Sequence, residues 1–245
     1  MSELRSKPAA SWRSEGSGLA IPCIVSARHL SVPPEFRVLQ TAGHTLGMLL
    51  YLEFVDSAAV TRRELLWLSA IVRSADPAYD DVPRMGPLYF VARAYSDRDA
   101  ARSEDPGIVE RRDWHLPKAL ARFERAGNRI EVDAADGTRI VFSWTPRGLT
   151  LPSPTTIASL QNTAGRVLCF QAHGKARAQL ATYRLESFSS EHPDWQSFAS
   201  GLVLPGVASQ LKSFDTAVRA PLALPRRLDS IAPTPSLVRA ARAGL

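Results

Sequence analysis

Two short runs flanking an Asp-Gly pair limit what this chain can fold into. From Arg129 to Ala134, Ile130, Val132 and Ala134 alternate with Arg129, Glu131 and Asp133, and from Thr138 to Trp144, Ile140, Phe142 and Trp144 keep the same period. A period of two marks a half-buried strand. A two-residue Asp136-Gly137 turn would set Asp133 against Ile140 and Glu131 against Phe142, mixing the two faces. A three-residue loop, Ala135-Asp136-Gly137 with Gly137 left-handed, sets Val132 against Ile140, Ile130 against Phe142 and Asp133 against Arg139. The pattern therefore predicts a hairpin with the longer loop.

Further runs repeat the signal. Leu88 to Tyr95 alternates cleanly, and Gly165 to Ala172, Ala178 to Leu185 and Leu211 to Val218 do so roughly. Thr45 to Val55 is nearly continuous in apolar residues, as a strand buried on both faces would be. Arg63 to Ser74 has helical length, but its Trp, Ile and Val favour a strand. Order begins near Ile21, where Ile24, Val25, Leu30 and Val32 form a strand-like run that contains Arg28 and that Pro33 and Pro34 close. His192 to Ala199, with Pro193 in its first turn, reads as one short helix. Seven or more strands and little helix predict a mainly β domain, an antiparallel sheet closed as a barrel with few short helices. Residues 1–18, rich in Ser, Gly, Ala and Pro, read as a disordered tail, residues 19–225 as the single domain, and residues 226–245 as a loose C-terminal tail.

Charge bears on the class of partner. The 245 residues carry a net charge of +6, which invites a nucleic-acid reading. Residues 1–18 and 226–245 together supply four of those six charges, and the remainder does not interleave cations with aromatics as a nucleic-acid groove would. Cys23 and Cys169 have no metal-ligand or disulfide-framework spacing, and the histidines show no HxxxH pattern, so no metal and no cofactor is expected. The first residues lack an apolar signal core, and the most apolar window, Leu46 to Val55, is interrupted by Glu53 and too short to span a bilayer. The expectation is a cytoplasmic protein without a membrane partner.

One cation stands apart. Only four of the 30 basic residues are lysines, Lys7, Lys118, Lys175 and Lys212. Lys118 lies in an apolar frame of Leu116, Pro117, Ala119 and Leu120. An amine can lose its proton near neutrality and attack a carbonyl, which guanidinium cannot do. From its residues alone the segment reads either as an ordinary surface lysine or as a nucleophile. Glu64, beside Leu65, Leu66 and Trp67, is likewise either a solvated strand end next to Arg62 and Arg63 or a site carboxylate, since burial there is expensive without a partner.

Arg111, Trp114, Pro117, Lys118, Leu120, Ala121, Arg122 and Phe123 fit a signature that resembles that of the acetoacetate decarboxylase family. The resemblance extends to Tyr89–Asp97, to Gly47–Leu66 and, weakly at the ends, to about residues 20 to 224. It implies a cone-like β-barrel with Lys118 as a Schiff-base nucleophile in its interior, Glu64 as the catalytic carboxylate that orients the lysine or relays protons, and Arg28 as a buried guanidinium for the substrate carboxylate. Moving an amine from about 10.4 to neutrality takes about 4 kcal/mol of bias against the cation, which apolar burial can supply. The partner would be a small keto acid, and the family implies a homo-oligomer.

The departures matter. Ala119 stands where a second lysine is usual, Glu110 replaces a glycine, Arg112 a glutamate, and Arg62 falls where tyrosine is common. Near Leu49 and Leu50, where a second carboxylate would lie, the side chains are apolar. His115, where a glycine or small residue is usual, reads either as a new acid/base group or, in preference, as a solvent-facing loop residue. The resemblance implies decarboxylation of a 3-oxo acid, with two alternatives: an aldolase, dehydratase or hydratase step on a larger keto acid, or a non-catalytic barrel binding a small apolar carboxylic acid.

Overall fold

The computed structural model describes residues 11–55, 61–75, 86–98, 118–163, 166–199, 202–203, 207–219 and 222–224. Among them run twelve strands: β1 (Ser11–Ser26), β2 (Phe36–Val38), β3 (His44–Val55), β4 (Thr61–Ser74), β5 (Leu88–Ser96), β6 (Ala119–Ala126), β7 (Arg129–Ala134), β8 (Arg139–Thr163), β9 (Arg166–Ser189), β10 (Leu202–Val203), β11 (Ala208–Arg219) and β12 (Leu222–Leu224). Nine close into a ring in the order β1, β11, β9, β8, β7, β6, β5, β4, β3 and back to β1. The described part of the molecule is mainly β, as its periodicity required. The pairing is antiparallel except at two places, where β5 runs parallel to β6 and to β8.

The hairpin of β7 and β8 has the expected register. Val132 faces Ile140, Ile130 faces Phe142 and Asp133 faces Arg139. Gly137 takes φ +82°, the left-handed value that the three-residue loop demands. Asp136 ties this turn to the sheet by accepting from Arg93 Nη2 at 2.6 Å and Tyr95 Oη at 2.9 Å.

Three expectations need correction. The sheet begins at Ser11, so residues 11–18 are strand and not tail: Glu15 pairs with Asp215 on β11 and with Val55 on β3. Composition hid this because backbone pairing and close approach hold the segment more than large side chains do. A Cβ on Gly16 would run into the carbonyl oxygen of Glu53. Next, Arg28 lies not in a strand but in a 3₁₀ turn, Ala27–His29, and it is exposed. Finally, the runs around Arg166 to Ala172 and Ala178 to Leu185, expected as two strands, belong to one, β9 of 24 residues, which forms a long hairpin with β8 of 25. Pro146, Pro152 and Pro154 sit where β8 has left β7 and not yet met β5, so among the described strands β9 alone pairs with them. Proline costs no ladder bond on such a free edge. Residues 1–10 and 226–245 lie outside the described residues.

The ring is filled. Leu65 and Trp67 of β4, Tyr95 of β5, Phe123 of β6 and Phe142 of β8 belong to its main core. The segment expected as a helix forms a 3₁₀ turn, Pro193–Trp195, followed by one α turn, Gln196–Ala199. It inserts Trp195 and Phe198 into that core. Trp195 stacks between Trp67, at 6.0 Å, and Tyr95, at 6.1 Å. Its Nε1 donates to Tyr95 Oη at 2.8 Å, so the indole is buried with its polar atom satisfied. A second apolar layer, with Leu50, Leu68, Tyr89 and Val91 at its centre and Leu52 and Leu66 packed on it, covers the opposite face of the sheet.

Candidate functional site

Sheet pairing brings Lys118 to Glu64. Lys118 immediately precedes β6, whose first residues, Ala119 and Leu120, pair in parallel with Tyr95 and Ser96 at the end of β5. Ser96 in turn pairs with Glu64 on β4. The end of β5 thus bridges a sequence separation of 54 residues, and Lys118 Nζ donates to Glu64 Oε1.

Strand alternation decides which face the carboxylate occupies. Glu64 pairs with Leu52, and the register from Thr61 to Leu68 is unbroken against β3. Leu65 and Trp67 point into the filled ring, so Glu64 shares the other face with Leu52, Leu66 and Leu68. The expectation of an amine in a barrel interior is corrected accordingly. Aromatic side chains occupy that interior, and the ion pair sits at the margin of the second apolar layer. It is nonetheless sheltered: 5% of the Glu64 side chain and 18% of the Lys118 side chain are exposed.

A third charge completes the group. Arg62, two residues before Glu64 and on the same face by alternation, places Nε 3.1 Å from Oε1, the oxygen that Lys118 also contacts. Its guanidinium lies over the Phe54 ring at 4.5 Å. Removal from water pushes the Lys118 amine below its ordinary value of 10.5; Glu64 works against that shift, and the Arg62 cation adds to it. Ala119 does not supply the second cation of the family signature, but a cation is present on β4, across β5 from the start of β6. Period-two alternation could have placed Arg62 on the face of Glu64, where the sequence showed it as a neighbour in a possible solvated strand end and as a departure from tyrosine.

Arg28, the third expected residue, is exposed in its turn, whereas Lys118 and Glu64 meet. Arg111, Trp114, His115, Leu116 and Pro117 lie outside the described residues. Another buried carboxylate, Glu53, belongs to a structural network. It accepts from Tyr51 Oη at 2.6 Å and Arg63 Nε at 3.3 Å on Oε1, and from Ser17 Oγ at 3.4 Å and Arg125 Nη1 on Oε2. Cys23 and Cys169 are buried free thiols, pushed by burial up to about 12 and about 11, which makes them poor nucleophiles. Among the described residues, none of the groups of His, Cys, Asp and Glu could hold a metal ion, and no helix is long and apolar enough to cross a membrane.

No family model and no curated protein matches the sequence. Solved structures match the fold. The enduracididine biosynthesis enzyme MppR complexed with pyruvate superposes with a TM-score of 0.56 at 14% identity, covering 91% of this chain and 93% of that one. Acetoacetate decarboxylase from Legionella pneumophila gives 0.56 at 13% identity, with 94% and 93% covered. An acetoacetate decarboxylase-like enzyme from Sphingomonas wittichii RW1 gives 0.55 at 13% identity, with 89% and 94% covered. The chain has the acetoacetate decarboxylase-like fold. The likeness spans nearly the whole of each matched chain.

Proposed function

We propose that this chain is a Schiff-base lysine enzyme acting on an oxo acid, a carbon–carbon lyase whose simplest reaction is decarboxylation of a 3-oxo acid. The observation that carries the reading is the sheltered Lys118 amine bonded to Glu64, with the amine biased toward its neutral form. A neutral Nζ attacks the ketone carbon, and loss of water leaves an iminium. The bond to the carboxylate then breaks, its electron pair moves toward the iminium nitrogen, and carbon dioxide departs. Protonation of the enamine at carbon and addition of water return the ketone and the free amine. In this reading Glu64, bonded to Nζ, takes a proton from it and gives it back during these steps.

A second reading uses the same iminium for carbon–carbon bond formation. Ala119 in place of the second lysine favours it, and a solved neighbour of the fold is MppR complexed with the condensation product of pyruvate and imidazole 4-carboxaldehyde.

Borohydride trapping with a panel of 2-oxo and 3-oxo acids, followed by peptide mass mapping, tests the proposal. The expected result is a reduced adduct on Lys118. No adduct with any oxo acid would leave a non-catalytic binder of a small carboxylic acid.

A further inference from the structure

We propose that Arg62, and not Arg28, holds the substrate's carboxylate. This inference rests on the Schiff-base reading of Lys118 and assigns the neighbouring cation a role in selecting oxo acids over neutral ketones.

The geometry has four parts. Arg62 and Lys118 flank one oxygen of Glu64, so an oxo acid whose carbonyl carbon reaches Nζ carries its carboxylate, one or two carbons away, into the neighbourhood of the guanidinium. The Arg62 side chain is 29% exposed, which leaves it within reach of a solute, while its Nε is buried and has no aligned hydrogen bond despite the 3.1 Å approach to Glu64. A buried cationic donor left in that state favours a further acceptor. Phe54 under the guanidinium limits its motion, so little ordering is needed when an anion arrives. Other arginines of the sheet are engaged elsewhere: Arg63 pairs with Glu53 and Asp97, Arg125 with Glu53, and Arg93 with Asp136. Arg28 is exposed in the turn after β1. A guanidinium offers a planar fork of donors suited to a carboxylate, which the tyrosine common at this place would not.

The test compares two kinds of carbonyl probe on the full chain. Acetoacetate and pyruvate carry a carboxylate; acetone and butanone do not. Each is trapped with borohydride over a concentration series in the parent protein, Arg62→Gln and Arg62→Lys, and the adduct on Lys118 is quantified by peptide mass mapping. Arg62→Gln is expected to raise the half-saturating concentration of the acids about ten- to a hundred-fold, the effect of losing a charge-assisted pair, and to shift the neutral ketones equally little or equally much among themselves. The acid-to-neutral ratio is the readout, because any change in the amine itself moves both probes together. Arg62→Lys should keep part of the preference, and it decides the matter if Arg62→Gln does not fold. An unchanged ratio in the variants, or no preference for acids in the parent, overturns the role of Arg62 while leaving the lysine chemistry standing. No adduct with either probe in the parent overturns both.

Discussion

Glu64 and Leu65 are neighbours in the chain and face opposite sides of β4: Leu65 is fully buried in the aromatic core of the ring, and Glu64 meets Lys118 and Arg62 on the outer apolar layer. That one-residue difference separates the side chain that fills the core from the one that meets the amine.

Replacing Lys118 with Arg should abolish borohydride trapping and turnover while leaving the fold intact. Arginine keeps a hydrogen-bond donor beside Glu64 but cannot form the iminium. Far-ultraviolet circular dichroism together with trapping checks this; retained turnover would remove the lysine from the mechanism.

Glu64→Gln should lower the turnover rate by roughly 10²-fold or more, the usual contribution of a positioned acid or base. It should also cost about 1–3 kcal/mol of stability by leaving a sheltered amine with a weaker partner. Urea unfolding and steady-state kinetics on the same preparations separate the two effects; an unchanged rate would make Glu64 a purely structural partner.

The depressed Lys118 amine makes stability depend on pH in a defined direction. Its folded value lies below 10.5, so between the two values the unfolded chain binds the proton that the folded protein has released. Stability therefore rises with pH across that window and is lost as pH falls toward the folded value. Urea midpoints of the parent and Lys118→Met, measured at several pH values up to 10.5, should show this slope in the parent and its loss in the variant. Parallel profiles would mean that the amine is not biased.

Gly16→Val should destabilise the domain strongly, by several kcal/mol or to the point of no folding, because a side chain there meets the backbone of Glu53 across β1 and β3. A thermal melt tests it, and a variant as stable as the parent would return residues 11–18 to the status of a tail.

Trp195→Ala should cost about 3–5 kcal/mol, since it empties the middle of the aromatic stack between Trp67 and Tyr95 and removes the indole N–H that donates to the Tyr95 hydroxyl. Chemical denaturation measures it directly; a loss near 1 kcal/mol would show that the core closes over the gap.

Local pattern was enough to define most strands and the β7–β8 register, because alternation along a strand and the conformation of Gly137 are properties of adjacent residues. It was also enough to single out Lys118 and Glu64 as a pair of interest through their likeness to a known signature. Other features depend on what a segment lies beside. Gly16 and the prolines of β8 look like breakers until a neighbouring backbone, or the absence of a described one, gives them a place. Arg28 looked like a strand residue and lies in a turn.

The residues alone therefore determined a strand-dominated domain and, through the resemblance they carry, drew attention to one lysine in an apolar frame. Only the tertiary structure decided that the ring interior is packed with aromatics, that the amine sits on the opposite face, and that Arg62 rather than a second lysine is its neighbouring cation. The reason is physical: side-chain period is fixed by covalent geometry, whereas the face that becomes an interior and the charges that meet there are set by closure of the sheet through contacts far apart in sequence.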